Sequence, residues 1–483
     1  MPKVSTATME LTIKHSGKNY NVPVTQETTT ATFKQAVSEL TRVPVERMKV
    51  MVKGKLVKDD TDYAALASQK VTVMVIGAAE ALPEAPTQPI VFLEDVGEGS
   101  YAKAEPNGLV NLGNTCYLNS TIQALKVVPE IDSALKEFTP SGTSADTRVV
   151  SSLKNLMTNL DSAHDAVVPL DLISNLRVLA PQFAETDNHG HYSQQDADEA
   201  WTTLISALRS KLPHGADGSL VDKLMGLELE KTFKCAETDA EPESTSTESL
   251  SKLQCNISGT TNFLLSGIQD SLTQQVEKNS PVLGRNATYT MKSAISKLPE
   301  YLTVHMVRFY WRRDIQKKAK IMRKVKFPLE LDLLELLTPS LRARTQPLNV
   351  HAKNVLKDRD ARATVLKRKP GEGREEEEEK RKEEREKAEE LLKTQETEGG
   401  RRDGSAFYEL AAVVTHKGAS ADSGHYIGWA RMDDGAFVPA EQQQWAKFDD
   451  NKVTFCDAQK ILSMDGGGED SVAYILLYRQ AKI

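Results

Sequence analysis

A cysteine near one end of this 483-residue chain, and a histidine followed 24 residues later by two adjacent aspartates near the other, each stand in a setting suited to nucleophilic catalysis. Cys116 lies in Gly108-Leu109-Val110-Asn111-Leu112-Gly113-Asn114-Thr115-Cys116, directly ahead of the apolar-periodic run Thr121-Ile122-Gln123-Ala124-Leu125. The spacing predicts a helix starting near the cysteine, where the helix dipole favours the reactive thiolate. Asn111, five residues upstream, carries a side-chain N–H that could serve a developing oxyanion. Taken alone, such a cysteine is more often a small buried residue. His425 changes that balance. It opens an aromatic, strand-like run, Ser423-Gly424-His425-Tyr426-Ile427-Gly428-Trp429. Farther on, Trp445-Ala446-Lys447-Phe448-Asp449-Asp450 reads as a second strand ending in carboxylates. A base on one strand and its orienting acid on an antiparallel neighbour is workable triad geometry.

Other candidates are weaker alone. Asp196 and Glu199, spaced i, i+3, fall on one face of an expected helix. By default that is a solvated acidic face. His189-Gly190-His191 has a spacing that suits metals but reads as a polar loop. Cys235, Cys255 and Cys456 form no Cys-x-x-Cys pair, so they are expected to be structural thiols. No metal site and no cofactor is expected.

These residues need a sizeable scaffold. Residues 9–76 form a small unit by pattern. Leu11 and Ile13, then Tyr20, Val22 and Val24, alternate about a Gly17-Lys18 turn and predict a hairpin. Phe33, Ala36, Val37 and Leu40 follow at helical spacing. Strands through Val50 and through Val71, Val73 and Val75 close the unit, with a Lys53-Gly54 turn between them. Residues 78–106, broken by Pro83, Pro86 and Pro89, read as a linker. The rest runs to about residue 480, helical first and strand-rich from about 285.

Within that block, residues 372–398 hold 13 Glu and 7 Lys or Arg, a local balance of −6 out of the chain's −7. The remainder is therefore near neutral, which argues against a nucleic-acid binder. Residues 355–404 are read as a charged, mobile insertion; its run Arg374–Leu392 could form a solvated helix but cannot bury enough apolar surface to fold on its own. No apolar run approaches the ~20 residues needed to span a bilayer. The N-terminus shows no apolar signal core, and four cysteines in 483 residues fit a reducing compartment.

The Cys116 and His425 segments resemble the Cys and His boxes of the ubiquitin-specific proteases, a papain-like family of deubiquitinating enzymes. Tyr192-Ser193-Gln194-Gln195-Asp196-Ala197-Asp198-Glu199 is similar to that family's Gln-Gln-Asp element. Leu298-Pro299-Glu300-Tyr301-Leu302 leading to Arg308-Phe309, and the closing Ala473-Tyr474-Ile475-Leu476-Leu477-Tyr478, are similar to its core strands. The 9–76 unit resembles ubiquitin, without a terminal diglycine and with Met51 and Met74 on the expected binding face.

The resemblance implies an α+β chain. A ubiquitin-like β-grasp domain at 8–77 and a linker at 78–106 would precede a papain-like protease domain at 107–480, with helical thumb, β-rich palm and fingers. It implies Cys116 as nucleophile, His425 as base, and Asp449 as orienter, with Asp450 the adjacent alternative. Asn111 would be the oxyanion donor, and Asp196, Glu199 and Tyr426 would line the channel for the ubiquitin tail. The expected partners are ubiquitin, ubiquitinated proteins and the regulatory particle of the 26S proteasome, reached through the ubiquitin-like domain in the cytoplasm, with a nuclear pool open. A ubiquitin-binding proteasome scaffold is the competing function. The loops at 310–324 and 417–424 are read as a gate beside the channel.

Overall fold

The structure is a computed structural model. It describes residues 9–76 and 106–481, apart from 16–17, 42, 46–47, 53–54, 59–60, 70, 216–217, 313–316, 369–373, 396–401, 419–422, 434–439, 441–442 and 469–470. The Gly17 and Lys53-Gly54 turns, nearly all of the linker and the middles of both gate loops therefore lie outside the described residues. The chain divides into two compact units, Met1–Ala102 and Lys103–Ile483.

In the first unit, strands Met9–His15 and Lys18–Val24 pair antiparallel. Met9–His15 also runs parallel to Val73–Ile76, which pairs with Lys49–Val52 and, beyond it, Lys55–Leu56. Helix Thr30–Thr41 covers one face of this five-stranded sheet. The alternating residues Leu11, Ile13, Val22, Val24, Val73 and Val75 bury against Phe33 and Val37. This is the β-grasp order. Leu40, read as part of the helix's apolar face, is instead exposed, because Val37 and Thr41 already close that face. A short helix, Tyr63–Ser68, capped by the Asp62 carboxylate, was not legible in the sequence.

The second unit has a helical layer and two larger sheets. Helix Cys116–Leu125 is buried along its whole length. It packs with Ala145–Ser162, Leu170–Leu179 and Ala197–Lys211 into one apolar core with the inner face of the main sheet. That sheet runs Leu253–Asn256, Tyr301–Val307, Val472–Gln480, Phe407–Lys417, His425–Arg431, Gln444–Asp449, Lys452–Asp457, with Glu330–Asp332 added on Phe407–Lys417. Its other face carries a second core under helix Leu264–Leu272. A separate four-stranded sheet, Thr273–Ser280, Arg285–Lys297, Leu227–Cys235 and Ser244–Leu250, carries Cys235 beside Tyr289. Cys255 sits in the main sheet, where burial pushes its thiol up to about 12. Cys456 is partly buried on the sheet's edge strand.

The charged insertion folds differently from the sequence reading. Residue 355 lies inside a continuous helix, Pro339–Arg368, rather than at a boundary. Leu341, Leu348, Ala352, Val355 and Leu356 are buried on one face of it. A second helix, Arg374–Lys393, lies against the first. Arg359 pairs with Glu384 at 2.7 Å, and Arg362 reaches both Glu377 and Glu384 at 2.7 Å. The Glu/Lys/Arg run thus finds its opposite charges on a neighbouring helix, a non-local pairing that composition cannot reveal.

Candidate active site

Cys116 is the first residue of its helix, after Thr115 at the N-cap. Its own N–H belongs to the first helical turn, where backbone donors have no intrahelical partner. The Sγ atom accepts from the Tyr426 backbone N–H at 3.4 Å and from Gln194 Nε2 at 3.3 Å. Both donors are aimed at the sulfur.

His425 opens the next strand and pairs in register with Lys417. Its Nε2 lies 2.7 Å from Asp449 Oδ1 and 3.9 Å from Asp450 Oδ2. With Nε2 committed to Asp449, Nδ1 is the nitrogen left for the thiol. The hydrogen bond to Cys116, and then that to Asp449, raise the imidazole from 6.5 to about 9 against the effect of burial. Burial pushes Asp449 upward, but Lys447 and His425 outweigh it and hold the carboxyl below its usual range. Lys447 Nζ takes the second carboxylate oxygen at 2.8 Å. The arrangement is a thiol, an imidazole and a carboxylate in series, with the cationic imidazole stabilised from both sides.

Asp450 does something else. It has a left-handed backbone (φ 53°) at the turn after the Asp449 strand. Its carboxylate accepts from Asn111 Nδ2 and from Asn119 Nδ2, both at 2.8 Å. Its carbonyl accepts from Leu109 N at 2.9 Å. Gly108 allows that approach, since a Cβ there would lie 2.5 Å from the Asp450 oxygen.

Asn111 is therefore not a free oxyanion donor in this state. One of its two N–H bonds is held by Asp450, which leaves only the other for an oxyanion. Its Oδ1 accepts from Gly113 N at 3.0 Å and Thr115 N at 3.2 Å, shaping the loop before the nucleophile. Asp196 caps helix Ala197–Lys211, with Oδ1 on Asp198 N and Oδ2 accepting from Tyr474 at 2.7 Å. Its expected exposure to a basic tail is correspondingly reduced, while Glu199, in the first turn of the same helix, faces solvent. Tyr426 departs furthest from its expected place. Its ring is 1% exposed, packed on His416 and Tyr474, so it lines no open channel here. It reaches the thiol through its backbone instead.

Sequence reasoning missed Gln194 and Asn119. Gln194 lay within the quoted Gln-Gln-Asp element, so its residue type was visible but its contact with sulfur was not. His189 and His191 surround Asp187 through backbone N–H bonds in an exposed turn. Among the described residues, no helix is long and apolar enough to cross a membrane.

The ubiquitin carboxyl-terminal hydrolase family matches residues 107–478, and the ubiquitin family matches residues 11–77. The chain is 38% identical to ubiquitin carboxyl-terminal hydrolase 6 of Schizosaccharomyces pombe, covering 98% of this chain and 99% of that one. It is 37% identical to ubiquitin carboxyl-terminal hydrolase 6 of Arabidopsis thaliana, covering 92% and 93%. It is 30% identical to ubiquitin carboxyl-terminal hydrolase 14 of Caenorhabditis elegans, covering 96% and 92%. With a ubiquitin-like domain ahead of a hydrolase domain, the chain belongs to the ubiquitin carboxyl-terminal hydrolase family and is a thiol-dependent deubiquitinating enzyme.

Proposed function

We propose that Cys116 attacks the carbonyl of ubiquitin's terminal glycine in a ubiquitin–protein amide bond. The thiolate forms a tetrahedral intermediate, and the oxyanion falls to the Cys116 backbone N–H and the remaining Asn111 N–H. His425 gives its proton to the leaving amine as the carbon–nitrogen bond breaks. Water, deprotonated by His425, then cleaves the thioester and releases ubiquitin. Asp449 keeps the imidazole oriented and favours its cation through both steps. The observation carrying this reading is the His425 Nε2–Asp449 Oδ1 distance of 2.7 Å beside a thiol that already accepts two hydrogen bonds. Glu199 and Asp196 are assigned to the basic ubiquitin tail, Asp196 after exchanging its Tyr474 contact.

In this reading residues 107–480 hydrolyse and residues 8–77 dock the enzyme on the proteasome regulatory particle in the cytoplasm. The exposed methionine side chain at 74 supports a docking role for the ubiquitin-like domain. The test is ubiquitin bearing a thiol-reactive C-terminus. The wild-type chain should be labelled at Cys116, and Cys116→Ala should bind ubiquitin without turnover. Turnover within a few fold of wild type in Cys116→Ala refutes the assignment.

A further inference from the structure

Lys320 is a buried lysine whose three acceptors among the described residues, on His416 and Gly418, include no carboxylate. It ends the strand Lys317–Lys320, which forms a two-stranded hairpin with Phe309–Arg312. It is 8% exposed. Its Nζ donates to His416 O at 2.8 Å, Gly418 O at 2.9 Å and His416 Nδ1 at 3.1 Å. An ammonium has three N–H bonds, and here each has an acceptor. We infer that Lys320 is a positioning residue for hydrolysis: it holds the His416–Gly418 strand end and through it the imidazole of His425. This rests on the proposed role of His425 as the base.

The mechanical link is short. Lys417 and His425 are register partners, so His425 hangs on the strand end that Lys320 grips. His416 and Tyr426 are the next pair, with rings 4.7 Å apart, and Tyr426 supplies the N–H that meets the Cys116 sulfur. Phe309, across the ladder from Lys320, also packs on His416 at 5.2 Å. The hairpin therefore touches His416 twice.

Protonation agrees with this geometry. An ammonium only donates, so His416 Nδ1 must be unprotonated. Burial, and then the charge of Lys320, push His416 down to about 3. Burial, and then Arg308, lower Lys320 to about 8, which leaves it mostly charged at neutral pH. The Nε2–Cε1 edge of the His416 ring lies against Gly424, the residue before the base. A Cβ at 424 would sit 2.7 Å from His416 Nε2 and 2.3 Å from Lys417 O, at a φ of 128°. The chain thus turns into His425 over the imidazole that Lys320 fixes.

The test compares the full-length Lys320→Met, His416→Asn and His416→Leu variants on a fluorogenic ubiquitin amide. Lys320→Met keeps the aliphatic stem and strands two carbonyls. Its kcat should fall about tenfold to a hundredfold, with KM within a few fold, because displacing a reacting group by about 1 Å costs that much. The pH profile of Cys116 alkylation by iodoacetamide should change shape, because the displaced His425 no longer meets both Cys116 and Asp449. His416→Asn offers an oxygen where Nδ1 stood and should retain more kcat than His416→Leu. An unchanged kcat and alkylation profile in Lys320→Met overturns the inference. So does equal activity of the two His416 variants, or a rise in kcat. If Lys320→Met does not fold, the His416 pair decides. Failure of the underlying reading shows separately, as turnover persisting in His425→Ala.

Discussion

The Asn111 amide donates to the Asp450 carboxylate at 2.8 Å, closing a contact between residues 339 positions apart. Together with the Asn119 contact and the Leu109 N–H on the Asp450 carbonyl, it fastens the loop before the nucleophile to the strand pair bearing the base. Two neighbouring aspartates thus have different jobs: Asp449 holds the imidazole, and Asp450 holds the loop that would form the oxyanion site. Asp450→Ala should lower kcat about tenfold or more by releasing Asn111, since orientation is worth factors of this size. Its alkaline limb should move less than in Asp449→Asn, because His425 keeps its hydrogen bond to Asp449 and loses only the weaker charge of Asp450. Steady-state kinetics across pH check both, and a limb shifted further in Asp450→Ala than in Asp449→Asn would move the orienting function to Asp450.

Asp449→Asn tests the complementary role. His425 is raised from 6.5 to about 9 by Cys116 first and Asp449 second. A raised folded value means the proton-linked stabilisation is fully present below about 6.5 and is lost as pH rises through about 9. Exchanging the carboxylate for a neutral amide removes one of the two supports, so the alkaline limb of kcat/KM should move to lower pH. Asp449→Asn should also lower kcat strongly. An alkaline limb that stays at its wild-type position would show that Asp449 does not support the cation.

That Cys116, His425 and the 449–450 carboxylates would come together was legible in their residue types, each at the start or end of an element the pattern already marked; Asp449 over Asp450 came only from the resemblance. The β-grasp unit was legible because its strands alternate, with one buried face. What the sequence could not show were contacts made across the fold. Gln194 reaches sulfur from a segment 78 residues away, and Lys320 reaches His416 across 96. The resemblance implied Tyr426 as a channel residue, yet strand alternation turns its ring into the core. The charged insertion was misjudged for a related reason: its glutamates pair with arginines on another helix.

That helix pair gives a stability prediction. Replacing residues 370–402 with a short Gly/Ser linker removes Glu377 and Glu384, leaving Arg359 and Arg362 without them. Arg359 has only 6% of its side chain exposed. Stranding a buried charge of this kind costs about 3 kcal/mol, so the urea midpoint should drop clearly. Adding Arg359→Leu and Arg362→Leu to the same deletion should recover most of the loss. Ubiquitin hydrolysis by the folded protein should be nearly unchanged throughout. An unaltered midpoint in the simple deletion would mean that the second helix adds nothing to the fold.

The ubiquitin-like domain supplies the last prediction. Met51 stands in register with Leu56 on one side and Met74 on the other, forming an apolar row across three strands. Leu56 is 61% and Met74 51% exposed, while Val73 and Val75 on either side of Met74 are buried. The row is thus surface, and methionine's flexible thioether suits a docking contact. Met74→Glu should change the domain's stability by no more than about 0.5 kcal/mol, as exposed substitutions usually do. It should nonetheless cut association with proteasome regulatory particles about tenfold or more, because a carboxylate would be desolvated at the contact. Turnover of a fluorogenic ubiquitin amide by the free enzyme should be untouched. Co-purification with regulatory particles, measured beside a deletion of residues 8–77, separates the cases. If the deletion abolishes association and Met74→Glu does not, docking uses another face of the domain.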